Sequence, residues 1–191
     1  NEIRRMGEPG LFEELVEKNM ERFESYQIQR VITGCPHGFN ALKNEYPQGK
    51  FEVLHITQLL ARRLEEGKLS LKGEIKKVVT YHDPCFLGKQ NNIFDDPRIL
   101  LSAIPGITFK ELDRSRERSL CCEGGGGRMW VESSSDTGQR LGEVRVNDAV
   151  EIGAEILVTA CPLCVLTLED AVKTSGHEEQ IKVMDVMELL A

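Results

Sequence analysis

The chain has 191 residues, 40% of them hydrophobic, and a formal charge of -7. That length builds one sizeable domain or two small, closely joined ones, and the acidic balance argues against a general nucleic-acid surface. No stretch approaches the roughly 18 apolar residues of a membrane span, and the charged opening from Asn1 to Gly10 is not a signal peptide.

Leu11, Phe12, Leu15, Val16 and Met20 fall on one helical stripe, which predicts a helix over 11–23 with Pro9 suited to its first turn. A short strand follows over 27–33, ending at Gly34-Cys35-Pro36. A helix over 40–45, a strand over 51–56 and a helix over 58–66 come next. Val78 and Val79 mark a strand over 76–81, which stops at His82-Asp83-Pro84-Cys85 because proline disfavours further pairing. A short helix over 97–103, a strand over 107–112 and a polar stretch lead to Cys121-Cys122 and four glycines. Leu141, Val144, Val146 and Val150 give a helical rhythm within 138–152. A strand over 154–159 ends at Ala160-Cys161-Pro162, and a helix over 166–173, a strand over 181–186 and a last turn over 187–190 close the chain. Strands alternating with helices predict an α/β fold with mainly parallel strands and the cysteine motifs at strand carboxyl ends.

Two segments repeat. Ile32-Thr33-Gly34-Cys35-Pro36-His37-Gly38 resembles Val158-Thr159-Ala160-Cys161-Pro162-Leu163-Cys164, and 51–60 resembles 181–190 in the same order. The chain therefore divides into two pseudo-symmetric repeats, a truncated first over 1–70 and a complete second over 71–191. Arg4-Arg5-Met6-Gly7 echoes Gly127-Arg128-Met129-Trp130, so the chain is expected to begin inside the first repeat, as a processed chain or an excised fragment.

Five of six cysteines, Cys85, Cys121, Cys122, Cys161 and Cys164, form a C, CC, CxxC pattern. Adjacent cysteines do not readily pair with each other, and two thiols beside Gly124 to Gly127 make poor core material. The grouping reads first as a thiolate site for a soft metal centre, foremost iron–sulfur, in a reducing intracellular setting. Five thiolates exceed the four of a closed zinc site. Structural zinc, disulfides or inert buried thiols remain the other readings, and Cys161 with Cys164 alone would suit a thiol–disulfide pair. Around the site, His82 and Asp83 could hydrogen-bond it or relay a proton, and Gly124 and Gly125 could bring backbone N–H groups close. Arg128 could balance negative charge, Met129 and Trp130 read as packing residues, and Cys35 and His37 could reach the site if the halves pack face to face. No lysine–serine or lysine–threonine pair follows the glycines, so they are not a phosphate-binding loop.

The arrangement Cys85, Cys121-Cys122, Cys161-x-x-Cys164 resembles the cysteine-rich CCG domain of heterodisulfide reductases, closest in flavour to their D-type subunits. It also resembles iron–sulfur subunits of glycolate and lactate oxidation and those coupled to electron-transfer flavoproteins. Cys35-Pro36-His37 with Lys43-Asn44-Glu45-Tyr46-Pro47, Tyr81-His82-Asp83-Pro84-Cys85 and Gly126-Gly127-Arg128-Met129-Trp130 extend the likeness over nearly the whole chain. The resemblance implies that the five cysteines bind a non-cubane 4Fe-4S cluster and pass electrons towards a disulfide, a quinone or another redox partner. It implies ferredoxin-like or flavoprotein subunits or domains as partners, in the cytoplasm or at the cytoplasmic face of a membrane touched only through other regions or subunits. Two positions depart from the pattern: Gly38 replaces the second cysteine of the first CPxC motif, and Glu123 replaces the glycine of CCG. The competing expectations are a zinc-stabilised structural or subunit-assembly domain, with zinc also a substitute metal in isolated protein, and a CxxC thiol–disulfide oxidoreductase.

Overall fold

A computed structural model describes residues 1–130 and 138–191. Two runs rich in β-branched residues become its central strands, β3 (Val78–Tyr81) and β5 (Ile156–Thr159), with β5 buried along its whole length. Burial on both faces suits a parallel strand covered by helices. The remaining strands are β1 (Arg30–Thr33), β2 (Glu52–His55), β4 (Thr108–Phe109) and β6 (Lys182–Asp185). A four-stranded sheet has the order β4-β3-β5-β6, a second sheet pairs β1 with β2, and every pairing among the described residues is parallel.

Eight α-helices are described: α1 (Glu2–Arg5), α2 (Pro9–Ser25), α3 (Pro36–Asn40), α4 (Ile56–Glu65), α5 (Asp95–Ser102), α6 (Leu141–Glu151), α7 (Pro162–Thr174) and α8 (Val186–Leu190). On one face of the larger sheet, Val146 and Ala149 of α6 and Leu168 and Ala171 of α7 pack on Leu157 and Val183. On the other, Val79, Tyr81 and Val158 meet Leu101 of α5, Val186 of α8 and Phe39 of α3. Phe39 carries the first sheet's elements into the second sheet's core. No helix among the described residues is long and apolar enough to cross a membrane.

The internal likeness is present in backbone register. Arg30, Val31, Ile32 and Thr33 face Glu52, Val53, Leu54 and His55, while Ile156, Leu157, Val158 and Thr159 face Lys182, Val183, Met184 and Asp185. Thr33 and Thr159 are matching positions in the repeat, and so are their partners His55 and Asp185. Both partners then cap the following helix in the same way: His55 accepts from Thr57 N–H and Asp185 from Met187 N–H, with Gln58 and Glu188 reaching back.

Two helices, α3 and α7, begin a full turn earlier than the hydrophobic rhythm indicates. Pro36 and Pro162 occupy the first turns of α3 and α7, directly after Cys35 and Cys161. Proline's fixed φ suits that position and its missing N–H costs nothing there, so the CP turn is itself the helix start. The short α1 carries no periodic signal, and β4 is only two residues long.

Candidate metal centre

Three cysteine motifs reach one place because they follow three neighbouring strands. His82 N–H donates to Val158 O at 2.8 Å, extending the β3–β5 pairing by one residue before Pro84 turns the chain away to Cys85. The adjacent β5 runs into Cys161, which caps α7, with Cys164 in that helix's first turn. Past β4, on the other side of β3, the chain returns through Cys121 and Cys122. The connection from β3 runs out to β4 and the connection from β5 runs the opposite way to β6, so the switch point where open α/β sheets carry their sites lies between β3 and β5.

The five sulfurs form one chain of interacting neighbours, hydrogen-bonded between Cys122 and Cys164. Cys85 contacts Cys121, Cys121 contacts Cys122, Cys122 Sγ lies 3.0 Å from Cys164 Sγ, and Cys164 contacts Cys161. All are free thiols. A ring nitrogen of His82 and the sulfurs of Cys122 and Cys164 lie within 4.8 Å of one another, all buried. Crowding divides the protons unevenly. Cys121 accepts from Cys122 and Cys85 and is held down to about 2 against its burial. Cys161 accepts from Cys164, is opposed by burial, is helped by His37, and falls to about 5. The donors move the other way: Cys122 is pushed up to about 12, and Cys85 and Cys164 also rise. Convergent soft donors fit a thiophilic metal or a metal–sulfur cluster, and five exceed what one closed zinc site uses.

Backbone donors complete the sulfur environment. Glu123 N–H reaches Cys121 Sγ at 3.3 Å, and Gly124 N–H bonds Cys122. At Gly124 a Cβ would meet Leu163 O at 2.9 Å, and at Gly125 it would sit 2.3 Å from His37 Cε1. These glycines therefore permit contact with α7 and α3. Gly125→Ala is expected to destabilise the protein by about 1–3 kcal/mol through overpacking. Its urea midpoint should fall, and truncating the opposing ring in a Gly125→Ala/His37→Ala double variant should cost less than the sum of the single changes.

Glu123 has φ 67°, the left-handed region in which a glycine is unstrained and a side chain costs roughly 1–2 kcal/mol. Arg128 holds it there, Nη2 lying 2.9 Å and Nε 3.2 Å from Glu123 Oε1. Arg128 thus balances Glu123 directly.

His37 crosses from the first sheet's elements to the second sheet's site. It hydrogen-bonds Cys161, packs its ring 4.4 Å from that of Phe86, and bonds Glu2, whose other carboxylate oxygen accepts Gly126 N–H. Burial disfavours the imidazolium, but Cys161 and Glu2 together outweigh it and raise His37's pKa. Cys35 is half-buried beside this cluster, and burial pushes its thiol up, with Cys161 adding to the effect. A Cβ at Gly38 would be no closer than 3.7 Å to its neighbours, so packing leaves room for a β-carbon there.

Asp83 faces away from the sulfurs. Its carboxylate receives Arg98 Nη1 at 2.7 Å and Nη2 at 2.9 Å, and accepts Arg116 N–H at 2.8 Å. Its carbonyl accepts Ser119 Oγ–H at 3.2 Å. Asp83 therefore ties the end of β3 to α5 and to the segment before Cys121. His82 is buried among the sulfurs, and burial followed by Arg145 drives its pKa down to about 3, so it is neutral. Trp130 is 67% exposed, unlike the packing residue expected from its sequence position. Arg145, fully buried against His82, escaped sequence reasoning because a lone arginine between valines reads as a solvent-facing residue. Gly142, Arg145, Val146 and Ala149 are the buried positions of α6, and their spacing is the signal that puts Arg145 on the inward stripe.

The cysteine-rich domain family, CCG, matches residues 1–43 and 79–169. The chain is 42% identical over 190 residues to a Bacillus subtilis protein described as a probable iron-sulfur-binding oxidoreductase FadF. It is 41% identical over 194 residues to the EtfAB:quinone oxidoreductase of Syntrophomonas wolfei. Each alignment covers 98% of this chain but 27% of the relative. A further relative, the D-type polypeptide of the dihydromethanophenazine:CoB–CoM heterodisulfide reductase of Methanosarcina barkeri, is 40% identical over 183 residues, 93% of this chain and 44% of that protein.

Proposed function

We propose, since the chain belongs to the cysteine-rich CCG domain family, that it is the cluster-bearing part of an iron–sulfur oxidoreductase. Cys85, Cys121, Cys122, Cys161 and Cys164 would hold one non-cubane 4Fe-4S cluster, and residues 71–191 form its unit while residues 1–70 form a repeat reduced to Cys35. The observation that carries this reading is the unbroken run of five free thiols drawn from three separate motifs. Bound there, a cluster supplies one-electron transfer at a potential tuned by hydrogen bonds to sulfur. The chain's own residues supply the rest. Glu123 and Gly124 donate N–H bonds to sulfur, α7 directs its positive end at Cys161 and Cys164, and Phe86 and His37 cover one side.

The acceptor side is a disulfide or a quinone-linked carrier, and the partners are ferredoxin-like or flavoprotein subunits or domains, at the cytoplasmic face of a membrane or in the cytoplasm. The names of the relatives support this, one pairing EtfAB with quinone and another a heterodisulfide with dihydromethanophenazine. The chain spans about a quarter of the first two relatives' length, so the electron route beyond the five cysteines belongs to the longer proteins. Zinc held by His82, Cys122 and Cys164 is the competing reading, favoured by the proximity of those three donors. Assay of iron, zinc and acid-labile sulfide on anaerobically prepared protein separates the two. Roughly four irons and four sulfides per chain are expected from the cluster type. One zinc without sulfide, under conditions that allow cluster assembly, overturns the proposal.

A further inference from the structure

Arg145 is fully buried, and its donors have specific destinations. Nε–H points to His82 Nδ1 at 3.3 Å, and Nη2 donates to Ser119 Oγ at 3.0 Å. Its nearest carboxylate oxygen, Asp148 Oδ2, is 3.6 Å from Nη1 with no hydrogen bond between them, and the same carboxylate already receives Arg114 Nη2 at 2.6 Å. A guanidinium has donors and no acceptor. His82 Nδ1 must therefore accept, and in a neutral ring the hydrogen then sits on Nε2. With Nδ1 occupied by Arg145, Nε2–H is the group left for the sulfurs of Cys122 and Cys164.

We propose that Arg145 is a positioning residue that locks His82 in the Nε2–H form, making His82 an N–H donor to the sulfur site instead of a metal ligand. The lock also brings a buried positive charge to within one residue of a site for an anionic group. A metal-binding imidazole needs an unprotonated nitrogen facing the metal, and this one is turned to the arginine. Donors and positive charge near sulfur stabilise the more negative, reduced state of a cluster and raise its potential. The tautomer follows from the hydrogen bonds alone, whereas the effect on potential rests on the cluster reading proposed above.

Two measurements on the full chain test this. In the reduced, metal-free protein, 15N–1H correlations of the His82 ring should show one neutral form with the hydrogen on Nε2. Arg145→Met should mix in the Nδ1–H form, and Arg145→Lys should retain more of the original. A wild-type ring protonated on Nδ1, or on both nitrogens, overturns the lock. In anaerobically loaded protein, His82→Leu and Arg145→Met should keep iron and sulfide at wild-type content while the midpoint potential, followed by electron paramagnetic resonance, moves downwards. Unchanged potentials at full loading overturn the donor role and leave the cluster reading intact. Loss of one metal equivalent in His82→Leu overturns it by making His82 a ligand. A wild-type chain that takes up no iron or sulfide overturns the cluster reading, and the donor role with it. Should either variant fail to fold, the other still reports the potential, and the wild-type tautomer reports the lock.

Discussion

Replacing Cys122 with serine is expected to bring iron and acid-labile sulfide in anaerobically prepared protein to near background, while Cys35→Ser keeps full content. Cys122 is the middle of the sulfur chain, in contact with Cys121 on one side and 3.0 Å from Cys164 on the other. It is also buried, so no solvent-borne ligand can readily take its place. A serine hydroxyl is a harder donor that holds its proton far more tightly than a thiol, and it would substitute poorly for a thiolate. Cys35 stands in the other repeat with Gly38 where a second thiol would be, and it is not part of the five-sulfur chain. Metal analysis with circular dichroism distinguishes loss of ligation from loss of fold. Full iron and sulfide in folded Cys122→Ser, or their loss in Cys35→Ser, would move the site away from the second repeat.

Asp83→Ala should lower the stability of the metal-free protein by about 3 kcal/mol, the lower end of the range for removing one partner of a buried ion pair. The lower end applies because Glu111 also bonds Arg98, with Oε2 at 3.0 Å, and keeps part of its charge compensated. What disappears is a bidentate acceptor at 2.7 and 2.9 Å and the anchor for Arg116 N–H. Arg116 itself has φ 55°, so the segment leading to Cys121 loses a bond that holds a strained residue. Asp83→Asn, which retains an acceptor oxygen, should cost less. Urea unfolding checks both, and a loss under roughly 1 kcal/mol for the alanine variant would mean that the pair is replaceable by solvent.

The parts of this architecture legible from sequence are those with local causes. Buried strands such as Ile156–Thr159 announce themselves by unbroken apolar character, and Cys-Pro turns mark where strands stop. Parallel pairing follows from the alternation of strands and helices, and the repeated segments anticipated the matched registers of β1–β2 and β5–β6. The convergence of three cysteine motifs needed only that they follow strands of one sheet. Partner choice was a different matter. Asp83 neighbours Cys85 in sequence, yet its carboxylate turns to Arg98 on α5, a contact between elements that no spacing encodes. His82, one residue earlier, goes to the sulfurs because successive side chains at a strand end point to opposite sides. Trp130 shows the converse: its size suggested packing, but the short helical turn Arg128–Trp130 leaves it outward.

The bond from Glu2 to Gly126 spans 124 positions of chain, and His37 reaches Cys161 across a similar distance. Contacts so distant along the chain are made late, after the intervening loops have closed. During synthesis from the amino end, the covering wall emerges first and Cys164 last of the five thiols. Until the first turn of α7 docks with Cys164, the earlier cysteines have no completed enclosure, and adjacent Cys121 and Cys122 are open to oxidation and to wrong metals. The order of synthesis thus defines a window of chemical vulnerability that closes only with the last cysteine motif.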